Sequence, residues 1–366
     1  MRVLNVLGSL NYSGAELMIL HSKKDFEKIG ITNDILITNQ IRGKAYSDFK
    51  KNNFHIHQII FNKKKIIKIF FNFLVFFKLI IFFFKKKYDV IIIHTESDNL
   101  KLSLSIKFLS KSQVIRVIHS VFKPSIIFKL RRKIILFFLK NLNVKFISVS
   151  NCVKKNELIL YKNKTHLINN FFDTEKFKLL KLKKTKDTTN TIFVVGNCSK
   201  IKNHGMIFKS LSQLPVNFKW RLIHVGKECD QRFERKLAKK LNIYNNCNFI
   251  GEKFNWYKLV NRNDIFINSS LNEGIGISSL EATSLGMLPL LSNVPGNKTL
   301  LKHINKFINL KFCNEKELTD KLIKIFKISK KNKNYFTNKL SKEINTFFSK
   351  KKYIDGYIYL LKKVIL

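Results

Sequence analysis

The chain has 366 residues, 45% of them hydrophobic, and 69 Lys and Arg against 24 Asp and Glu give a net charge of +45. That length suits two domains of ordinary size, and that apolar content is enough for real cores. Five cysteines (Cys152, Cys198, Cys229, Cys247, Cys313) are scattered, odd in number and free of any CxxC pair, which argues against a disulfide framework or a zinc site and fits a reduced cytosolic compartment. The charge has two readings. One is an anionic partner, nucleic acid or an anionic membrane surface. The other is AT-rich coding DNA, which enriches Lys, Ile, Asn and Phe and leaves only four alanines here.

No signal peptide is read ahead of the first apolar run, Val3–Leu7, which opens a fold instead. In the first half, Val3–Leu7, Asn33–Ile37, Ile56–Ile60, Val90–His94, Val114–Ile118 and Phe146–Val149 read as strands separated by helical stretches. The turn Leu7-Gly8-Ser9-Leu10-Asn11-Tyr12-Ser13-Gly14-Ala15-Glu16 lets the backbone approach a ligand, or simply joins strand to helix tightly; it does not spell GxGxxG. Ile66–Phe84 is almost wholly apolar between two lysine triplets, and 19 helical residues would span roughly 28 Å. Lys68, Asn72 and Lys78 interrupt it, so a helix packed on the sheet with an exposed apolar strip is expected ahead of a membrane span. His94 and His119 each end an apolar strand, His119 being the stronger functional candidate. Ile126–Leu142 carries Lys129, Arg131, Arg132, Lys133 and Lys140 and reads as a basic-apolar helix that either lies on anionic lipid or presents a solvated face.

A polar stretch, Lys181–Asn190, is the best linker, and the alternation then restarts with strands at Thr191–Val195, Arg221–Val225, Asn248–Ile250, Asp264–Ile267 and Leu288–Leu291, then helices after Leu310. Short apolar runs between helices argue parallel sheets covered on both faces. Gly196 to Gly205 follows the first of these strands. A Gly and Lys at a strand-loop-helix junction offer backbone amides, a helix dipole and the Lys202 ammonium to a diphosphate. Further on, Glu273 and Glu281 frame Gly274-Ile275-Gly276. One carboxylate lies in a loop at a strand's carboxyl end and the other in the next helix, placed to accept hydrogen bonds from sugar or ribose hydroxyls. No His/Asp/Glu cluster has metal-ligand spacing, and no G-x-S-x-G elbow is present.

Taken together these segments resemble the family 4 glycosyltransferases of the GT-B fold, which are retaining and nucleotide-sugar-dependent. The resemblance runs from the Gly8–Glu16 turn through Tyr88–Glu96, Ile147–Ser150, Ile168–Phe177, the Gly196–His204 loop and Trp256–Phe266 to the paired glutamates, and closes at Tyr357–Leu361. It implies an α/β fold of two Rossmann-like doubly wound domains facing a cleft, with a C-terminal helix crossing back to the first. Expected bounds are 1–175 for an acceptor domain, 176–190 for the linker, 191–345 for a nucleotide-sugar domain and 346–366 for the returning helix.

By matching position the resemblance makes Glu273 and His119 donor-sugar contacts. It places Gly14, Gly196, Asn197, Lys202, Gly274, Ile275 and Gly276 along the diphosphate or sugar, and Glu281 at the ribose. Asn197 stands where the family has Arg, and Lys200 is the expected substitute. The implied chemistry needs a UDP- or GDP-sugar, no metal and no other cofactor. The implied partners are a glycan or polyprenyl-diphosphate acceptor for O-antigen or capsule and an anionic membrane surface, with no nucleic acid. The implied location is the cytoplasmic face of the inner membrane. A GT-B-fold sugar-nucleotide epimerase, a basic nucleic-acid-binding protein and a membrane protein anchored through Ile66–Phe84 stand as alternatives.

Overall fold

The computed structural model describes residues 1–60, 68–95, 100–121, 125–172, 189–253 and 255–365. The chain forms two compact units, Met1–Phe171 with Lys350–Leu366, and Phe172–Ser349. These bounds lie four residues from the expected 175/176 and 345/346. Most of the expected linker falls outside the described residues.

The first unit runs β1 (Arg2–Leu7), α1 (Gly14–Glu27), β2 (Thr32–Ile37), α2 (Tyr46–Lys51), β3 (Ile56–Gln58), α3 (Lys68–Lys85), β4 (Val90–Ile93), α4 (Leu100–Leu109), β5 (Gln113–Ile118), α5 (Ile126–Asn141), β6 (Lys145–Ser148), α6 (Asn151–Tyr161) and β7 (His166–Leu167). Its seven strands lie in the order β3-β2-β1-β4-β5-β6-β7, parallel throughout. β1 and β4 are buried along nearly their whole length, as strands covered by helices on both faces must be. The order reverses between β1 and β4. The loops leaving these two neighbours therefore part to opposite faces and open a crevice at their carboxyl ends.

The second unit runs β8 (Asn190–Val195), α7 (His204–Ser212), β9 (Trp220–Val225), α8 (Phe233–Lys240), β10 (Cys247–Phe249), β11 (Ile265–Asn268), α9 (Ile277–Ser284), β12 (Leu288–Ser292), α10 (Pro295–Ile304), β13 (Lys311–Phe312), α11 (Glu315–Lys327) and α12 (Lys330–Phe347). Its six parallel strands lie in the order β10-β9-β8-β11-β12-β13, reversing between β8 and β11. Both units are the expected doubly wound α/β sheets. β7 and β13, each two residues long, are the strands absent from the sequence reading, which ran helix from Leu310 onward. A two-residue pairing leaves no alternation to read.

The last helix, α13 (Lys350–Ile365), belongs to the first unit. Tyr353 and Tyr357 are buried and meet at 4.7 Å between centroids, their rings tilted by 48°. Tyr353 packs on Phe171 at 4.7 Å, and Tyr357 meets Phe26 of α1 edge-on at 6.1 Å. Lys350 holds Asp25 at 2.8 Å and donates to the His21 carbonyl. Truncating a buried aromatic of this kind costs about 3–5 kcal/mol. Tyr357→Ala is therefore expected to lower the urea midpoint of the first unit's unfolding, followed by circular dichroism, by an amount matching that loss. Tyr357→Phe should retain most of it.

Candidate functional site

In the second unit the crevice at the β8/β11 reversal is walled by the loops that leave these strands. β8 ends at Val195 and leads through Gly196–Asn203 to α7; β11 ends at Asn268 and leads through Ser269–Gly276 to α9. The two loops are stitched together. Ser269 Oγ donates to the carbonyls of Lys202 at 2.8 Å and Asn203 at 3.0 Å, and the Leu271 amide donates to Ile201 at 2.7 Å. This fixes the backbone that carries Lys202. Its Nζ donates to Glu273 Oε1 at 2.6 Å, and Ser270 Oγ donates to the same oxygen at 2.9 Å. The pair is partly buried, so a sequence separation of 71 residues closes into one short charge-assisted contact.

Beneath Glu273 lies Gly296, near the start of α10. A Cβ there would sit 2.0 Å from the Glu273 carbonyl oxygen, so only glycine lets the helix approach. From below, Ser292 Oγ donates to the Ser270 carbonyl at 2.7 Å, and Asn297 Nδ2 donates to Ser292 in turn. Gly274, Ile275 and Gly276 are buried and lead into the N-terminus of α9, where orphan amides and the positive end of the helix dipole lie. Glu281 follows on α9, half-buried.

Gly196 and Asn197 are shaped by the neighbouring β9 loop. A Cβ on Gly226 would lie 2.1 Å from the Gly196 carbonyl, so the two loops touch backbone to backbone. Asn197 Oδ1 accepts from the Lys227 amide at 2.8 Å, and the Cys198 amide donates to the Lys227 carbonyl at 2.8 Å. Asn197 thus uses its side-chain acceptor to hold the loop. The fold also gathers Cys198, His204 and His224, whose donor atoms lie within 4.8 Å of one another. No local spacing announces that cluster, because its members come from a loop, a helix start and the carboxyl end of β9.

The remaining sequence-predicted residues belong to the first unit. Gly14 opens α1 with Ser13 as its N-cap, and Ser13 Oγ donates to the buried Glu16 carboxyl, whose pKa burial raises. His94 follows β4 and His119 follows β5. The two rings meet, His94 Nδ1 lying 3.4 Å from His119 Nε2, while His94 Nε2 lies 3.2 Å from Asn5 Oδ1. Arg116, buried on β5, donates to Ser103 Oγ at 2.9 Å. Burial, then the Arg116 charge, lowers His119 to about 4. Burial, then His119, holds His94 well below the usual imidazole range. Both rings are therefore neutral at pH 7. Sequence reasoning singled out each histidine but not their pairing.

Residues 175–341 match the family of glycosyl transferases group 1. Among solved structures, a glycosyltransferase from Rickettsia africae is 18% identical with a TM-score of 0.77, covering 100% of this chain and 98% of that one. HepE of Anabaena, determined with UDP and glucose, is 15% identical with a TM-score of 0.78, covering 99% of this chain and 100% of that one. The fold is GT-B. At these identities the likeness carries architecture and not chemistry. Protein CapJ of Staphylococcus aureus is 30% identical over 166 residues, 40% of this chain and 41% of CapJ, so less than half of that relative's length is matched.

The neutral histidines set a pH dependence. Above about pH 6.5 folded and unfolded chains alike hold these imidazoles uncharged. Below it the unfolded chain takes up protons that the folded chain refuses, so stability falls as pH drops towards 4. Each such ring contributes up to about 1.4 kcal/mol per pH unit in that window. His224, lowered to about 4 by burial, acts in the same sense; Asp264, raised to about 7 by burial, opposes it. Urea midpoints are expected to fall between pH 7 and pH 5, with a shallower decline in the double variant His94→Gln, His119→Asn.

Proposed function

We propose that this protein is a retaining glycosyltransferase that moves a sugar from a UDP- or GDP-sugar to a glycan or polyprenyl-diphosphate-linked acceptor of a bacterial surface polysaccharide, O-antigen or capsule. The observation that carries this reading is the Lys202–Glu273 pair at the β8/β11 reversal, beside the N-terminus of α9. A ligand with both a diphosphate and a sugar suits that pair. The diphosphate would compete for Lys202, whose ammonium then balances the charge that grows as the glycosidic bond breaks. Release from Lys202 would leave Glu273 free to accept from sugar hydroxyls. The Gly274–Gly276 backbone supplies further donors, and Glu281 accepts from the ribose. In this scheme His119 contacts the donor sugar as a neutral imidazole. No metal is assigned to the diphosphate. The family match over residues 175–341, the UDP and glucose bound by HepE and the partial likeness to CapJ all support the reading.

The acceptor half of the proposal rests on the first unit. On α5, Ile126, Ile127, Phe128, Leu130, Ile134, Phe137 and Phe138 are all exposed, alongside exposed Arg131, Lys133 and Lys140. α4 packs against both α5 and α3, and Phe108 of α4 and Phe76, Phe77, Ile80, Ile81 and Phe84 of α3 are exposed as well. Among the described residues no helix is long and apolar enough to cross a membrane. A basic rim on so large an apolar surface suits interfacial binding, at about 1 kcal/mol for each cation near anionic lipid. We assign this face to the inner surface of the cytoplasmic membrane, where a lipid-linked acceptor would be reached.

A thermal-shift panel of nucleotide sugars tests the donor site, since a ligand bound at about a hundred times its Kd stabilises by about 2.7 kcal/mol. One donor is expected to raise Tm in wild type and to lose most of that effect in Glu281→Ala. No shift with any donor, or an equal shift in the variant, would reject the assignment. Product analysis with donor alone separates a transferase from an epimerase, because only the latter turns over without acceptor.

Vesicle co-sedimentation tests the surface. Binding to phosphatidylglycerol vesicles should exceed binding to phosphatidylcholine vesicles, and the double variant Ile127→Asp, Phe128→Asp should lose it.

A further inference from the structure

We propose that Cys198, His204 and His224, with Glu234 against His204 as the nearby carboxylate, form a binding site for a zinc-type divalent cation, a structural site that pins the loop after β8 to β9 and α8. Cys198 Sγ lies 3.6 Å from His224 Nε2. Two ligands of one tetrahedral zinc, at about 2.3 Å for sulfur and about 2.0–2.1 Å for nitrogen, are about 3.6 Å apart. His204 Nδ1 lies 3.7 Å from Glu234 Oε1. That is too long for a hydrogen bond and close to the roughly 3.3 Å edge between nitrogen and oxygen ligands of the same ion. The donor atoms of Cys198, His204 and His224 all fall within 4.8 Å of one another.

The burial of these groups is what separates the cluster from an accidental one. His204 is 4% exposed and His224 0%, and His204 Nδ1, the nitrogen that faces the cluster, has no hydrogen-bond partner. Buried polar nitrogens left unpaired are costly unless something satisfies them. Glu234 is buried as well, at 5% exposure, in the first turn of α8. Its Oε1 faces His204, and its Oε2 accepts from Cys229 Sγ at 3.9 Å. A carboxylate, a thiol and two imidazoles enclosed together form a donor set of borderline softness, which suits Zn²⁺ better than Mg²⁺ or Ca²⁺. A bound cation would draw the proton off the Cys198 thiol. None of the four is assigned to the diphosphate or the sugar. Cys198 nevertheless sits in the loop that carries Lys202, so the ion would stiffen that loop.

The test uses the untagged full-length protein. After purification without chelator and desalting, elemental analysis is expected to find one zinc per chain. Titrating Co²⁺ into metal-stripped protein should give the intense visible bands of a four-coordinate site and a thiolate-to-cobalt charge-transfer band. Cys198→Ser should lose the charge-transfer band, Cys229→Ser should keep it, and His224→Gln and Glu234→Gln should each weaken Co²⁺ binding about tenfold or more. A pale spectrum of a six-coordinate ion in wild type would overturn the proposal without recourse to any variant. So would a charge-transfer band that survives Cys198→Ser or vanishes in Cys229→Ser. No nucleotide sugar enters these measurements, so the proposal stands or falls independently of the donor assignment.

Discussion

The chemistry of the second unit hangs on one topological fact, the reversal of strand order between β8 and β11. Parallel strands send every loop out at the same end of the sheet, and right-handed crossovers then decide the face each following helix covers. Where the order reverses, adjacent loops diverge and leave a gap that no side chain from the sheet can fill. Lys202 comes from one bank of that gap and Glu273 from the other. Residues 71 positions apart meet because the topology leaves them nowhere else to go.

The gap has to be rigid to be useful, and its rigidity comes mostly from backbone. Ser269 and Leu271 tie the two loops together through main-chain carbonyls, while Gly226 and Gly296 bring neighbouring backbone to within a would-be Cβ's radius. These contacts leave the Lys202 and Glu273 side chains as the part of the crevice that can change partner. That division between fixed scaffold and exchangeable charge is the preorganisation an electrostatic site needs. It also gives a reason for the behaviour of Asn197. With an amide where the resemblance led one to expect a guanidinium, the position serves the scaffold by bonding the Lys227 amide.

The fold was legible because its signals are local. Short apolar runs at regular intervals give parallel strands, and the polar segment near residue 185 marks the place where the pattern restarts. The paired glutamates and the Lys202 loop were legible for the same reason, since each is a contiguous motif at a strand's end. What stayed hidden depends on register and packing between distant segments. Nothing in the sequence around Gly296 shows that it underlies Glu273. Nothing around Asp25 shows that Lys350 will reach it from the other end of the chain. His224 is the instructive case. A histidine inside the apolar run Trp220–Val225 is a visible anomaly, but its meaning depends on Cys198 and His204, which only the loop geometry brings to it.

Carboxylates are the scarce resource of this chain, with 24 against 69 basic side chains. In such an excess most lysines have no acid to meet, and surface pairs would add little stability in any case. Buried acids are then informative, because each sits where an unpaired charge would be expensive. Glu157 is 1% exposed and meets Arg132 at 2.7 Å, which joins α6 to α5. Glu234 is enclosed among the thiols and imidazoles of the β9 side. Glu273 faces Lys202 at the crevice. The first of these has its cation built in, and Arg132 with its fixed guanidinium suits a permanent contact. The other two face groups that can exchange: a flexible ammonium in one case, and an imidazole and a thiol in the other. In a chain so rich in fixed positive charge, the places where a carboxylate is held by something replaceable are where an outside charge can enter. An anionic diphosphate would do so by taking Lys202 from Glu273, and a cation by taking Glu234 together with its neighbours.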